Sequence, residues 1–148
     1  MVHAAKTGSP STIPEPAMIR RYLLAFALTA AAAFAAAGSA MAEHVPFSRP
    51  AFEAAQAAGR PILVDVYAPW CPVCRAQEPI LESLQAQPAN ADLVVFRVDF
   101  DNQKDVVRSF RAQRQSTLIA YNGNQETGRS VGDTNAASLA RLVASTRQ

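Results

Sequence analysis

The chain reads as an α/β domain, a mixed sheet flanked by helices, and three observations carry that reading. Pro61 to Tyr67 and Leu93 to Val98 are nearly continuous apolar runs of strand length, the pattern of strands covered on both faces. Stretches with apolar residues at helical spacing come before, between and after them. Near the end, Asn122-Gly123 separates two further strand-like runs, a strong hairpin signal. Strands alternating with helices, then a hairpin and a last helix, call for one sheet with helices packed on it.

Each element has a local reason. Ser48 is placed to cap a short helix carrying Phe52 and Ala55, and Gly59 suits its end. The strand from Pro61 to Tyr67 contains one charge, Asp65. From Pro72 to about Gln87 the spacing of Val73, Ile80, Leu81 and Leu84 is helical, and Pro79 should kink this helix because it lacks a backbone donor. Asp101 or Asn102 is the expected cap of a helix with Val106, Val107 and Phe110 on one side. Thr117 to Tyr121 forms a strand, Thr127 to Val131 returns antiparallel, and Asp133 or Thr134 caps a final helix bearing Leu139, Leu142 and Val143.

The ends of the chain differ from its middle. Met18-Ile19-Arg20-Arg21, the alanine-rich apolar stretch from Tyr22 to Ala37 and the small residues up to Ala42 form the pattern of a cleavable export signal over residues 18–42. Residues 1–17 read as an extension or a start assigned too early, and residues 43–148 as one domain. The alternative is an uncleaved membrane anchor, for which this stretch is short against the roughly 20 residues a span needs. Of the 14 basic residues, Lys6, Arg20 and Arg21 precede Glu43, as does one of the 12 acidic residues, Glu15. The domain after that point is therefore formally neutral, with no basic stripe to suggest nucleic acid.

The only two cysteines stand in Cys71-Pro72-Val73-Cys74, directly after Trp70. A structural zinc site needs four ligands, and the only histidines, His3 and His44, lie far upstream. Haem attachment needs a histidine after the second cysteine, where Arg75 stands. The pair therefore reads as a redox centre without metal or other cofactor. A helix starting here would stabilise a Cys71 thiolate with its free N–H groups and dipole. His44 reads as a solvent-exposed residue near the new N-terminus.

With these residues in place the sequence resembles the thioredoxin family over the domain from about Phe47 onward. The segment Val64-Asp65-Val66-Tyr67-Ala68-Pro69-Trp70-Cys71 resembles the family's strand and its Trp-Cys entry. Pro79 matches its helix kink, Arg97 the place of a lysine near the buried carboxylate, and Gly132 the glycine after the last strand. The resemblance implies the thioredoxin fold and a thiol–disulfide oxidoreductase. Cys71 is then the exposed, attacking thiol and Cys74 the buried, resolving one. Asp65, read as an unpaired buried acid with a raised pKa, is the base that takes the Cys74 proton through a water; the plainer role for it is a salt bridge to Arg97.

Substrate contacts fall to Trp70, Pro72, Gln115, Ser116 and Thr117, with plain packing the simpler role for Trp70 and helix-start geometry for Pro72. The sequence departs from the family at Ser116, which stands where the family has a cis-proline. Loss of the ring is expected to open space beside Cys71 and to add a hydroxyl. Proline at this position should restore the family loop if the preceding bond runs cis, and strain the loop if it runs trans. With the export signal, the reading is a monomer in the periplasm that reduces disulfide-containing client proteins; resemblance to exported family members implies apocytochrome c or other cysteine proteins as clients and a membrane dithiol carrier as electron donor. A disulfide-forming oxidase is one alternative. The other is a module holding a metal ion or cluster between the thiols of two chains.

Overall fold

The computed structural model describes residues 44–148. The extension assigned to residues 1–17 and the export signal assigned to 18–42 lie outside the described residues. In chain order the elements are β1 (Val45–Pro46), α1 (Arg49–Ala57), β2 (Pro61–Tyr67), α2 (Pro72–Gln85), a short 3-10 turn (Pro88–Asn90), β3 (Val94–Asp99), α3 (Lys104–Ser109), β4 (Thr117–Asn122), β5 (Gln125–Val131), α4 (Ala136–Ala144) and a closing 3-10 turn (Ser145–Arg147). Strand order across the five-stranded sheet is β1-β3-β2-β4-β5. β2 runs parallel to β3 and antiparallel to β4, so the sheet is mixed as the sequence predicts.

β2 is central, and its side chains alternate between two cores. Ile62, Val64 and Val66 face α1 and α3, where Phe47, Phe52, Phe96 and Phe110 pack with them. These rings meet mostly edge to face, for example Phe52 against Phe110 at 5.3 Å and 89°, the arrangement their quadrupoles favour. Leu63 faces the other way, with Val95, Leu118 and Ala120, against Leu81 and Leu84 of α2 and Leu139 and Val143 of α4. Coverage on both faces explains the unbroken apolar run read from the sequence.

Several boundaries fall where tertiary contacts, rather than local signals, put them. β1 carries no apolar pattern of its own and exists because Val45 and Pro46 pair with Phe96 and Arg97. Ser48 occupies the N-cap of α1 without a capping side-chain bond. Neither Asp101 nor Asn102 caps α3: both donate their backbone N–H to Asp99 Oδ1, and Gln103 takes the cap position. Asn135 rather than Asp133 or Thr134 caps α4, accepting from Ser138 N at 3.0 Å. Asp133 instead accepts the N–H of Asn135 and the Ser138 hydroxyl. The hairpin loop is Gly123-Asn124, one residue later than the dipeptide signal, with Asn122 paired to Gln125. Gly123 has φ +55 and approaches Gln56 and Gly59 so closely that a Cβ would sit 3.4 Å from their backbone atoms, which is why glycine holds that place.

Candidate active site

The loop after β2 delivers Cys71 to the N-terminus of α2. Cys71 is the N-cap residue, Pro72 takes the first helical position, and the Cys74 N–H donates to Cys71 Sγ at 3.2 Å. Proline fits there because its missing donor would have been an orphan in any case. Both cysteines are free thiols, only 1 % and 2 % exposed. The expected contrast between an exposed Cys71 and a buried Cys74 is thus corrected: both are buried, with the Ser116 hydroxyl against each sulfur. What separates the two thiols is their acidity. Burial pushes Cys71 upward, but hydrogen bonds from the Cys74 side chain, from Ser116 and from the N–H groups of Cys74 and Val73 outweigh it and bring its pKa to about 7. Cys74 is raised, by burial first and by its bond to Cys71 second. The more acidic of the two thiols, and the one that ionises near neutral pH, is therefore Cys71.

Ser116 does not leave a gap. Its Oγ lies 3.1 Å from Cys71 Sγ and 3.4 Å from Cys74 Sγ, and the residue is 4 % exposed. The space expected to open beside Cys71 is filled by this hydroxyl. The Ser116 N–H donates to Val66 O at 2.8 Å, its carbonyl accepts from Gly132 N at 2.9 Å, and its φ is +61. Thr117, placed among the substrate contacts, is 1 % exposed, and its hydroxyl donates to Arg114 O at 2.7 Å. It shapes the loop from beneath and offers nothing to a client. Gln115 is half-buried in that loop. Trp70 is 55 % exposed, held by an Nε1–H bond of 2.7 Å to Asp101 Oδ2 and by edge contact with Phe100. Its position suits a contact surface better than core packing.

Asp65 is buried, but it is not unpaired. Arg97 Nε donates to its Oδ2 at 3.2 Å, and Arg97 Nη1 reaches Glu78 Oε1 at 3.0 Å, linking the β2 acid to α2. The guanidinium also stacks 4.1 Å from the Tyr67 ring centroid. Alternation along β2 and β3 puts Asp65 and Arg97 on the face that packs against α2. Burial raises the Asp65 pKa from 3.8 to about 6, with Arg97 opposing the rise. Asp65 is thus ionised at neutral pH and still a competent base. His44 is not a solvent-exposed end: it is partly buried, burial and then Arg97 lower its pKa, and it lines a cavity of about 500 Å³ with Pro46, Phe47 and Tyr67.

The raised Asp65 pKa has a stability consequence whose sign is fixed. Between about pH 4 and 6 the folded chain holds a proton that the unfolded chain has released, so stability falls as pH rises through this window and is level above it. Asp65→Asn is expected to be more stable than wild type at pH 7.5 by on the order of 2 kcal/mol. That gain should vanish below about pH 4, where the wild-type acid is protonated in both states. Urea unfolding at the two pH values measures it; an equal gain at both would mean that the ionisation of Asp65 is not its source.

Comparison with known proteins agrees with this geometry. The thioredoxin family model matches residues 43–145. The chain is 35% identical over 82 residues to a thioredoxin of Mycobacterium bovis, covering 55% of this chain and 70% of that protein. It is 34% identical over 82 residues to a bifunctional thioredoxin reductase/thioredoxin of Mycobacterium leprae, where the match spans 55% of this chain and only 18% of that longer protein. Among solved structures, Trxlp from Edwardsiella tarda superposes with a TM-score of 0.66 at 51% identity, covering 68% of this chain and 98% of that one. A family match across the described domain, with the Cys71/Cys74 dithiol at the N-terminus of α2, places the chain in the thioredoxin family as a thiol–disulfide oxidoreductase.

Proposed function

We propose that the protein is an exported reductant of protein disulfides. The observation that carries the direction is the hydrogen bonding at Cys71, where the Cys74 N–H and the Ser116 hydroxyl lie 3.2 and 3.1 Å from Sγ and help bring the thiol only to about 7. Strong disulfide-forming oxidants hold their attacking thiolate so deeply, with a pKa of about 3.5, that the reduced form becomes the stable one. A thiol brought only to about 7 gives the reduced form no such advantage, so electrons pass readily to a client. Pro72-Val73 also supplies no histidine between the cysteines.

In this reading the Cys71 thiolate attacks a client disulfide, forming a mixed disulfide and releasing one client thiolate. Asp65 takes the Cys74 proton, and Cys74 attacks Cys71 Sγ, closing the Cys71–Cys74 disulfide and releasing the second client thiolate. Two electrons have then passed from dithiol to client. Trp70, Pro72 and the backbone of the Gln115–Ser116 loop receive the client. The pattern of residues 18–42 supports export to the periplasm, with a membrane dithiol carrier returning the electrons to a monomeric protein. Clients are exported cysteine proteins, apocytochrome c among them. The test is the reduction potential of protein recovered from the periplasm with Glu43 at its N-terminus. A value more negative than about −200 mV is expected, whereas one near −120 mV would identify an oxidant.

A further inference from the structure

We propose that the Ser116 hydroxyl is a catalytic donor that serves the two sulfurs in turn, holding the Cys71 thiolate before attack and the Cys74 thiolate during resolution. The inference rests on the dithiol exchange just described. Its first support is position: Oγ is within hydrogen-bond reach of both sulfurs, at 3.1 and 3.4 Å, and among the described residues it meets no other polar partner. A rotation about one bond redirects its hydrogen from one sulfur to the other. The second support is that the backbone aims it. The N–H of Ser116 is bonded to Val66 and its carbonyl to Gly132, so the side chain has little freedom to leave.

The third support is conformational. At φ +61 a side chain is disfavoured and glycine is the default residue. Serine occupies a position where glycine would be easier, and the one group it adds with a partner is the hydroxyl between the thiols.

The charge in the reaction moves along the same line. In the reduced protein the negative charge is on Cys71, and the hydroxyl donates to it. Once Cys71 is bonded to a client sulfur it is neutral, and the charge needed for the next step is on Cys74, whose thiol is buried. The hydroxyl then turns to Cys74 and stabilises its thiolate as the proton leaves for Asp65. Cys74 attacks Cys71 Sγ, the Cys71–client bond breaks, and the client leaves as thiolate. Ser116 neither gains nor loses a proton over the cycle; it supplies one hydrogen bond at two successive sites.

The test uses two readings on the purified protein without any client. One is the pH midpoint for alkylation of Cys71 in the reduced protein. The other is the rate at which Cys74 expels thionitrobenzoate from a mixed disulfide preformed at Cys71. Ser116→Gly removes the hydroxyl while suiting the positive φ and keeping the bond to Val66; Ser116→Ala removes it while keeping Cβ. Both variants are expected to raise the alkylation midpoint by about one pH unit and to slow thionitrobenzoate release about tenfold, the loss of one hydrogen bond to a charged group. Wild-type values for either reading in folded Ser116→Gly overturn the proposal, since each sulfur is probed separately. Because no client enters these measurements, failure of the wild-type protein to reduce client disulfides would count against the proposed function and not against the role of Ser116.

Discussion

Replacing Cys74 with alanine is expected to cut disulfide turnover at least about a thousandfold and to leave clients covalently attached at Cys71. Cys74 lies one helical turn from Cys71, donates its own N–H to Cys71 Sγ, and shares the Ser116 hydroxyl with it. A thiol held in that relation attacks as if present at very high concentration, with effective molarities of about 10⁵ M and above in well-aligned intramolecular reactions. In the variant only an external thiol at millimolar level can resolve the mixed disulfide, so release becomes the slow step. Attack itself should survive, because the Cys71 thiolate still receives the Ser116 hydroxyl and the N–H groups at the start of α2. Denaturing electrophoresis without reductant should show higher-mass adducts that collapse on adding reductant, and mass mapping should place each on Cys71. Turnover close to wild type, with no adducts, would remove Cys74 from the resolving role.

Ser116→Pro is expected to destabilise the domain by about 3 kcal/mol or more, against the family pattern in which proline occupies this place. Two facts decide the sign. Proline confines φ to about −65°, whereas Ser116 sits at +61. Proline also has no N–H, and the Ser116 N–H is bonded to Val66 O at 2.8 Å beside a fully buried strand. Swinging φ to the other side would break the Gly132 contact as well and pull the loop off both thiols. Of the two outcomes weighed from the sequence, a restored family loop and a strained one, the geometry supports the second. Chemical denaturation of wild type, Ser116→Pro and Ser116→Gly separates the causes: the glycine variant should stay within about 1 kcal/mol of wild type or gain stability, because it keeps both the φ and the donor. A proline variant as stable as wild type would show that the loop accepts a second conformation at little cost.

The loop around Ser116 also shows where sequence reading stops. The strands β2 and β4, the helix α2 with its internal Pro79, and the dithiol at that helix's start were all legible, because each rests on a local rule. A run buried on both faces is apolar throughout, a helix repeats its apolar side chains every three or four residues, and a CxxC pair at a helix start is positioned by three residues of chain. The departure at Ser116 was visible too, as a serine in a proline's place.

What the hydroxyl does there was not visible, because Ser116 and Cys71 are 45 residues apart and meet only when β4 pairs with β2. The same is true of Asp65. Its burial follows from its strand, but its partnership with Arg97, and through Arg97 with Glu78, depends on the register of β3 and on the face that α2 covers. β1 and the half-buried His44 depend on the same pairing, since a two-residue edge strand has no pattern of its own and is held by Phe96 and Arg97. The burial of Cys71 is hidden from the sequence for a related reason: accessibility belongs to the whole surface, and here Ser116, 45 residues away, sits against the sulfur. Local patterns in this chain thus determined its elements other than β1, and the place of its dithiol. The hydrogen-bond partners that tune that dithiol were decided by strand register and loop placement, which bring together residues the sequence keeps far apart.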